Sequence, residues 1–542
     1  MNLRKKYNHL IKTNNVGNND DVSKMFVNTS FNNFNYDHII IGAGIGGLMY
    51  AYQTCINKPN DRILIIDKGQ RLRDRKCPMI EGKVSTCIKC KQCSIMSGFA
   101  GAGAFSDAKF NITTEYGGWI NEYLTDEVSI EYMEKLDKIL LHLTNAQCLT
   151  KRLYLPNDEL KYEALKYDLH LLQGKVRHFG TDGIYEIMQN LSSYLQLTRN
   201  IVIKYNSYVS PKDIDIKNKT VIIDNEKYSF NKLIMALGRS GADDFSEFCK
   251  LHDIPTYNNQ IDIGVRVEVP RIVCEDISKK IYEPKIKYLT KKHRDIVRTF
   301  CFNSGGEVVT ENTDNILTVN GHANALEENK TKNSNFAILS THEFTEPFDE
   351  PIAYLQHVAK LANMLGGGRI ISQLFGDLVD GRRSTEKRFK DATIIPTLKS
   401  HTPGDISLAM PSAAMDNIIE MIYQLDKFMP GVANHDTILY GIEAKYYSCR
   451  PKFIDREKFE ILPDIYAIGD GAGVTRSLSQ AGAMGLYLSD KICLDSTLSN
   501  DSDMKFERKV GFVNNFDLED IKKRENNLNN RLDTLINNKK ED

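Results

Sequence analysis

Short apolar runs, separated by stretches with helical spacing, set the pattern of this chain. The runs that predict strands are Ile39–Ile41, Ile63–Ile66, Ile201–Ile203, Lys232–Arg239 and Ile465–Ile468. Residues 126–167 place apolar side chains at helical spacing, and residues 221–228 have the pattern of a small meander. Because strands alternate with helices near the start of the chain, we predict a doubly wound α/β domain.

The first apolar run leads into a glycine motif. Gly42, Gly44 and Gly47 follow as G-x-G-x-x-G, and Asp67 ends the second run, 20 residues beyond Gly47. In a dinucleotide-binding unit the first glycine permits a tight turn, the second lets the backbone approach a pyrophosphate, and the third allows close packing of helix and strand. Asp67 can accept hydrogen bonds from a ribose. The alternative is a glycine-rich turn that binds no ligand.

Two later stretches favour FAD over a nicotinamide dinucleotide. The loop from Ser97 to Asp107 is rich in small residues, which suits a close approach of backbone to a flat ligand. More than 400 residues beyond the fingerprint, a strand ends in Gly469-Asp470, and a further helix follows. In FAD enzymes such an aspartate binds the ribityl chain, and the helix N-terminus stabilises negative charge on the reduced ring. The predicted cofactor-binding residues are Gly42, Gly44, Gly47, Asp67, Gly101, Gly103, Ala104, Gly238, Asp470, Gly471 and Ala481.

The distance between these motifs along the chain predicts a discontinuous FAD-binding domain. We expect a flexible Asn-rich leader (1–35), a first part of the FAD-binding domain (36–255), an inserted α+β cap or substrate domain (256–454), the C-terminal part of the FAD-binding domain (455–495), and a charged tail or helix (496–542).

Composition narrows the class of protein. The 542 residues are 41% hydrophobic and carry a formal net charge of -1, so we expect no nucleic-acid partner. No apolar run reaches the roughly 18 residues of a membrane span. Eleven cysteines without a secretory signal predict free thiols and a cytoplasmic location.

An ordered series of motifs resembles a known family. Residues 98–109, G-F-A-G-A-G-A-F-S-D-A-K, resemble the loop G-x-G-G-A-G-A-F-S-D-G-K of the uncharacterised FAD-dependent, or NAD(FAD)-utilising, dehydrogenases. Further matching segments, in the same order, are residues 177–182, 262–268, 298–301, 320–322, 403–408 and 469–476. The resemblance implies a glutathione reductase-like FAD domain, FAD, and oxidoreductase activity, but it names no substrate. Ala100, Ala108 and Ser304 depart from the family pattern, which leaves substrate detail open.

Four cysteines precede the small-residue loop. Cys77, Cys87, Cys90 and Cys93 lie within 17 residues, a spacing typical of zinc or iron–sulfur sites. Neighbouring Lys and Arg residues favour thiolates, which suits a metal or a redox disulfide equally. The cluster therefore predicts a metal centre, a redox pair (Cys87/Cys90 or Cys90/Cys93), or a surface loop with free thiols.

The sequence leaves the reaction broadly defined. We predict an FAD-dependent dehydrogenase or reductase that transfers hydride between flavin and an unidentified organic substrate, with NAD(P)H or an electron carrier as the electron donor. Ser106, Asp107 and Lys109 are candidate catalytic residues. Residues that could bind an anionic substrate, or could equally pair with surface acids, are Arg382, Arg383, Arg450 and Arg476. The alternatives are a flavin-linked thiol–disulfide oxidoreductase that uses the cysteine cluster, and a flavin-binding RNA-modification or structural factor.

Overall fold

A computed structural model describes residues 34–494, apart from residues 79–80, 85–87, 89, 91, 107, 145–149, 314, 323–326, 346 and 349. Almost all of the predicted leader and the whole predicted tail lie outside the described residues, as do Asp107 and Cys87.

The strands are, in chain order, β1 (Asn35–Ile41), β2 (Ile63–Ile66), β3 (Lys109–Ile112), β4 (Arg152–Tyr154), β5 (His170–Leu172), β6 (Lys175–His178), β7 (Ile201–Lys204), β8 (Ile214–Asp215), β9 (Thr220–Ile223), β10 (Glu226–Met235), β11 (Thr256–Tyr257), β12 (Ile261–Pro270), β13 (Lys285–Leu289), β14 (Ile296–Asn303), β15 (Glu307–Thr313), β16 (Ile316–His322), β17 (Asn333–His342), β18 (Ile370–Leu374), β19 (His401–Pro403), β20 (Ile438–Lys445), β21 (Arg450–Pro451), β22 (Glu460–Leu462) and β23 (Ile465–Ala467).

The α-helices are, in chain order, α1 (Ile45–Asn57), α2 (Asp126–His142), α3 (Asp158–Leu165), α4 (Gly180–Leu197), α5 (Ala242–Leu251), α6 (Glu275–Lys280), α7 (Pro351–Leu365), α8 (Phe375–Val379), α9 (Glu386–Asp391), α10 (Ser412–Phe428) and α11 (Leu478–Leu494).

The first sheet confirms the predicted α/β fold. Its central strands run parallel in the order β23-β10-β1-β2-β7, and β22, β9 and β8 extend it in antiparallel pairings. The strands are apolar on both faces because helices cover both sides, as in other parallel sheets. Because the strands are parallel, the carboxyl ends of β1, β2, β10 and β23 meet at one edge.

Helices α1 and α11 pack together unusually closely beneath this edge. A Cβ atom added to Gly485 of α11 would lie 2.1 Å from the carbonyl oxygen of Gly46 in α1, and one added to Gly46 would lie 3.1 Å from the carbonyl oxygen of Ala481. The helix that follows the fingerprint and the helix that follows Asp470 are thereby fixed to each other, although they are more than 400 residues apart in sequence.

The second sheet has the order β19-β18-β20-β12-β17-β14-β13-β5, with antiparallel pairings except between β18 and β19. Its central strand β12 alternates between apolar and polar residues, with Gly264 at one position of the polar face. The apolar side chains, such as Val265, join a core with α7 and α10, while Asp262, Arg266 and Glu268 lie fully buried on the opposite face. A buried polar face needs internal partners, so this sheet carries a network of ion pairs.

Two predicted elements differ from the structure. Residues 126–167, predicted to be largely helical, form α2 and α3 with the short strand β4 between them. Residues 158–172, which the predicted boundaries assign to the FAD-binding part, pack instead on the second sheet, where Leu171 joins the core and β5 pairs with β13. The physical reason is long-range burial, which a local pattern does not show. The other domain boundaries stay predictions.

No helix in the described part of the chain is both long and apolar enough to cross a membrane.

Candidate functional site

A cavity opens at the carboxyl edge of the first sheet. The segments around it are the fingerprint turn, the end of β2, the loop at 96–106, the segment at 207–209, the turn after β10, and the start of α11. The predicted cofactor-binding residues that line it are Gly42, Gly44, Asp67, Gly101, Gly103, Gly238, Asp470 and Ala481. Six segments that are separate in sequence therefore meet on one cavity.

The fingerprint glycines have separate physical roles. Gly42 has φ +107°, and a Cβ atom there would lie 2.4 Å from the carbonyl oxygen of Ala236. A Cβ atom on Gly47 would lie 2.3 Å from the carbonyl oxygen of Gly42. Gly44 has an ordinary φ of -76°, and a Cβ atom there would meet nothing within 4 Å among the described residues. Gly42 and Gly47 thus permit the turn and its packing, whereas Gly44 keeps cavity space clear.

The same test shows that the cavity suits a dinucleotide. Gly238, at the end of β10, also faces open space, with an ordinary φ of -79°. Both glycines border the cavity at the start of a helical turn, where backbone N–H groups favour phosphate. An added methyl group at either position would occupy ligand space without clashing with the protein. These residues fit FAD.

Asp67 braces the fingerprint turn. Its Oδ2 accepts a hydrogen bond of 2.9 Å from the backbone N–H of Ala43, and its Oδ1 accepts one of 2.8 Å from that of Gly69. A carboxylate has further lone pairs, so the side chain can still accept a ribose hydroxyl.

Asp470 is a second carboxylate in the cavity lining. Its Oδ1 accepts a hydrogen bond of 2.7 Å from the Thr475 hydroxyl, and its Oδ2 lies 4.0 Å from Nε of Arg239. Burial raises the pKa of Asp470, and the opposing attraction of Arg239 only partly offsets it. A hydroxyl donor from a ribityl chain would satisfy this desolvated carboxyl.

Three predicted cofactor residues lie outside the cavity lining: Gly47, Ala104 and Gly471. Ala104 is fully buried in the core. Gly471 donates its N–H to the Leu237 carbonyl at 2.7 Å, and a Cβ atom there would lie 2.1 Å from the same oxygen. Their place is in the packing behind the cavity wall.

Arg75 organises the small-residue loop, a role that the sequence analysis missed. Its guanidinium group donates hydrogen bonds to the carbonyl oxygens of Ser94, Ile95, Phe99 and Gly101, at 2.6–2.8 Å. Burial lowers the pKa of Arg75 to about 10. One buried cation therefore shapes the loop next to the cavity. The sequence showed only that Arg75 is one of several basic residues near the cysteines.

Arg476 contacts two aromatic rings beside the cavity, and the planes of these rings lie at 89° to each other. Its guanidinium carbon lies 3.6 Å from the ring centroid of Trp119 and 3.2 Å from that of Tyr447. Asp262, on the polar face of β12, lies 3.8 Å from Nη1 of Arg476 and also binds Arg298 and the Tyr447 hydroxyl. The alternation of β12 was the sequence signal that could have revealed Asp262.

The candidate catalytic residues are only partly brought together. Ser106 lines the cavity, donates a hydrogen bond of 2.9 Å to the Gly103 carbonyl and accepts one from the N–H of Ala108. Lys109 lies farther along, on β3, with Nζ 3.6 Å from a carboxylate oxygen of Glu283. Asp107, between them, lies outside the described residues.

Two other predicted anion-binding arginines, Arg382 and Arg450, have carboxylate partners. Arg382 pairs with Asp377 and Asp380 on the second domain, and Arg450 stacks on Trp119 while it pairs with Glu122. Arg383 does not line the cavity.

The cysteines of the cluster do not form a metal site within the described residues. Cys77, Cys90 and Cys93 are free thiols, and Cys90 and Cys93 are exposed. No group of three potential metal ligands is gathered in the described part of the chain. Cys87, the fourth member, lies outside that part, so the metal centre stays a prediction.

Comparison with known proteins supports the cofactor. Residues 260–446 match the family described as "FAD-dependent protein, C-terminal domain-like". An uncharacterised protein of Clostridium beijerinckii is 24% identical over 485 residues, which cover 84% of this chain and 80% of that protein.

The similar solved structures are distant. Glycine oxidase from Bacillus cereus has 13% identity and a TM-score of 0.32, over 85% of this chain and 95% of its own. L-proline dehydrogenase from P. horikoshii has 12% identity and a TM-score of 0.35, over 84% of this chain and 93% of its own. Likenesses this weak carry no argument about the reaction. The match at residues 260–446 agrees with the predicted FAD-dependent class of protein.

Proposed function

We propose that this FAD-dependent protein transfers hydride between flavin and a small organic substrate, as a dehydrogenase or reductase. The observation that carries the proposal is the cavity at the carboxyl edge of the first sheet, where Gly44 and Gly238 keep ligand space clear and Asp67 and Asp470 both belong to the lining. When bound there, FAD would supply the hydride chemistry of its isoalloxazine ring.

Different residues around the cavity would bind different parts of FAD. The N–H groups at the start of α1 would bind the pyrophosphate, and Asp67 the ribose. Asp470 and the start of α11 would hold the ribityl and flavin end, where the positive end of the helix dipole favours negative charge. The loop shaped by Arg75 supplies a small-residue wall against a flat ring.

The second sheet closes the substrate side. Arg476 belongs to the cavity lining and contacts Tyr447, the residue that binds Asp262 on β12. A substrate next to the flavin would thus be covered by protein, which excludes water and strengthens electrostatic contacts. Ser106 and Lys109 remain candidates for holding a proton there.

The test is anaerobic reduction of the FAD-loaded protein by candidate donors. NADH, NADPH, dithiols and small organic acids, alcohols and amines are each mixed with it while the flavin band is followed. The proposal expects bleaching by at least one non-thiol donor and reoxidation by an added acceptor, and a Gly44→Ala variant should show neither. A flavin that is bound but bleached only by light would contradict it and favour a structural factor or RNA-modification factor.

The thiol–disulfide alternative draws on one observation. Cys93 precedes the cavity-lining Ser97 by four residues, and its backbone carbonyl accepts a hydrogen bond of 2.9 Å from the N–H of Ser97. Cys93 and Cys90 are both exposed. A Cys90→Ser variant that keeps FAD but loses turnover with dithiols would support this alternative. Zinc, iron and sulfide assays test the predicted metal centre. The electron donor and the cytoplasmic location stay predictions.

A further inference from the structure

We propose that Arg476, with Arg298 beside it, binds the carboxylate of an anionic substrate next to the flavin end of the cavity. This inference rests on the proposed function, since it names the substrate class of that same site.

Unpaired donors point to the missing partner. Nε and Nη2 of Arg476 are buried and have no hydrogen-bond partner among the described residues. Nε of Arg298 is also buried and has no partner within that part of the chain. Buried polar groups are nearly always paired, and an unpaired charged donor is especially costly. A carboxylate matches the planar edge of a guanidinium group because it accepts two parallel hydrogen bonds.

The charges around Arg476 also leave room for an anion, because two arginines share one carboxylate. Asp262 is the carboxylate that Arg298 and Arg476 share, with its Oδ2 3.8 Å from Nη1 of Arg476. Arg450, which also contacts the Trp119 ring, has its own partner in Glu122. Burial lowers the pKa of Arg476 to about 10, so the neighbouring acid does not compensate for desolvation. One more negative charge would balance the cluster.

The position of Arg476 suits a substrate. It lines the cavity, and its side chain keeps 13% of its surface exposed. Arg298 lies behind the lining, with 20% of its side chain exposed. The preceding residue, Thr475, binds Asp470, which we assign to the flavin end. An anion held by Arg476 would therefore lie beside the redox-active part of the cofactor.

The backbone holds this arrangement in place. The N–H of Trp119 donates to the Val474 carbonyl at 2.8 Å, and the N–H of Arg476 donates to the Gly117 carbonyl at 2.9 Å. Contacts with the rings of Trp119 and Tyr447 restrict the movement of the guanidinium group, which lowers the entropy lost when a ligand binds.

Trp119 provides a direct test because it is the single tryptophan of the sequence. Apo and FAD-loaded protein are titrated with acetate and benzoate, and with acetamide and benzamide as uncharged matches. Trp119 fluorescence reports binding in both forms, and the flavin difference spectrum reports it in the loaded form. We expect millimolar or tighter binding of at least one acid and none of its amide.

Variants assign the effect to Arg476. Arg476→Lys and Arg476→Gln should weaken acid binding about 10- to 100-fold, because a charge-assisted pair is lost. Arg450→Lys is the matched control, since it contacts the same tryptophan and should bind the acids as the wild type does. Thermal unfolding of each variant checks that it is folded.

Three results would overturn the proposal: no acid binds, acids and amides bind equally, or Arg476→Gln binds the acids unchanged. If that variant instead loses FAD and still binds the acids, the unpaired N–H groups serve the flavin. Failure of the wild type to bind FAD would sink the proposed function, while the apo titration would still decide the carboxylate site.

Discussion

The Oδ2 atom of Asp67 accepts a hydrogen bond of 2.9 Å from the backbone N–H of Ala43, inside the glycine fingerprint. The acid predicted to bind a ribose is thus also a support of the turn that approaches the pyrophosphate. Cofactor recognition and local stability are joined in one side chain.

Substitution of Asp67 should therefore affect the apo protein as well as FAD binding. Asp67→Ala leaves two backbone N–H groups without their acceptor, and we expect unfolding free energy to fall by about 1–3 kcal/mol. Asp67→Asn keeps one acceptor oxygen and should lie between Ala and wild type. Urea unfolding of the apo forms measures this, and an apo Asp67→Ala protein as stable as the wild type would contradict the bracing role.

Gly44 and Gly47 should respond to alanine in opposite ways. Gly44→Ala places a methyl group in ligand space, so FAD affinity should fall at least about tenfold while apo stability stays unchanged. Gly47→Ala places a Cβ atom 2.3 Å from the Gly42 carbonyl oxygen. The helix preference for Ala, about 1 kcal/mol, is outweighed by overpacking of about 1–3 kcal/mol, so this apo protein should be less stable.

Flavin titration and urea unfolding of both variants separate the two effects. A Gly44→Ala protein that binds FAD as the wild type does would show that the cofactor does not occupy this space.

Arg75→Lys should loosen the loop at 94–101. A lysine ammonium group cannot reproduce four hydrogen bonds from one planar fork, so we expect weaker FAD binding and faster proteolysis within the loop. Arg73→Lys is the matched control, because its side chain is half exposed and its ion pair with Asp74 is long, at 3.9 Å. Equal proteolysis rates for the two variants would contradict the role of Arg75 in holding this loop.

His401 should make stability depend on acid pH. Its Nδ1 lies 2.6 Å from the Ser372 hydroxyl oxygen, and burial lowers its pKa. As pH falls through the unfolded value near 6.5, the unfolded chain takes up a proton that the folded chain does not yet bind, so the protein loses stability. This loss is complete once pH falls below the lowered folded pKa.

A His401→Gln variant lacks this loss. The stability of the wild type relative to the variant should therefore decrease between neutral and acid pH, as measured by urea unfolding at several pH values. A difference that stays constant or grows on acidification would show that the pKa of His401 is not lowered.

The sequence could predict the features that depend on residues close together in the chain, but not those that depend on contacts between distant segments. Gly44 and Asp470 belong to local motifs whose chemistry depends on neighbours along the chain, so their place at one cavity could be predicted. Arg75, Trp119 and Arg476 act through side-chain contacts between distant segments, and nothing in their local sequence specifies those contacts. Leu171 joins the second core for the same reason, since its three-residue strand takes its place from β13.

The absorption spectrum of the protein, purified without oxygen and then reconstituted with FAD, tests the central claim most directly. The account predicts equimolar bound FAD with a band near ~450 nm, retained through gel filtration by the wild type and lost by Gly44→Ala. No retained flavin in the wild type after reconstitution would contradict the assignment of the cavity to FAD.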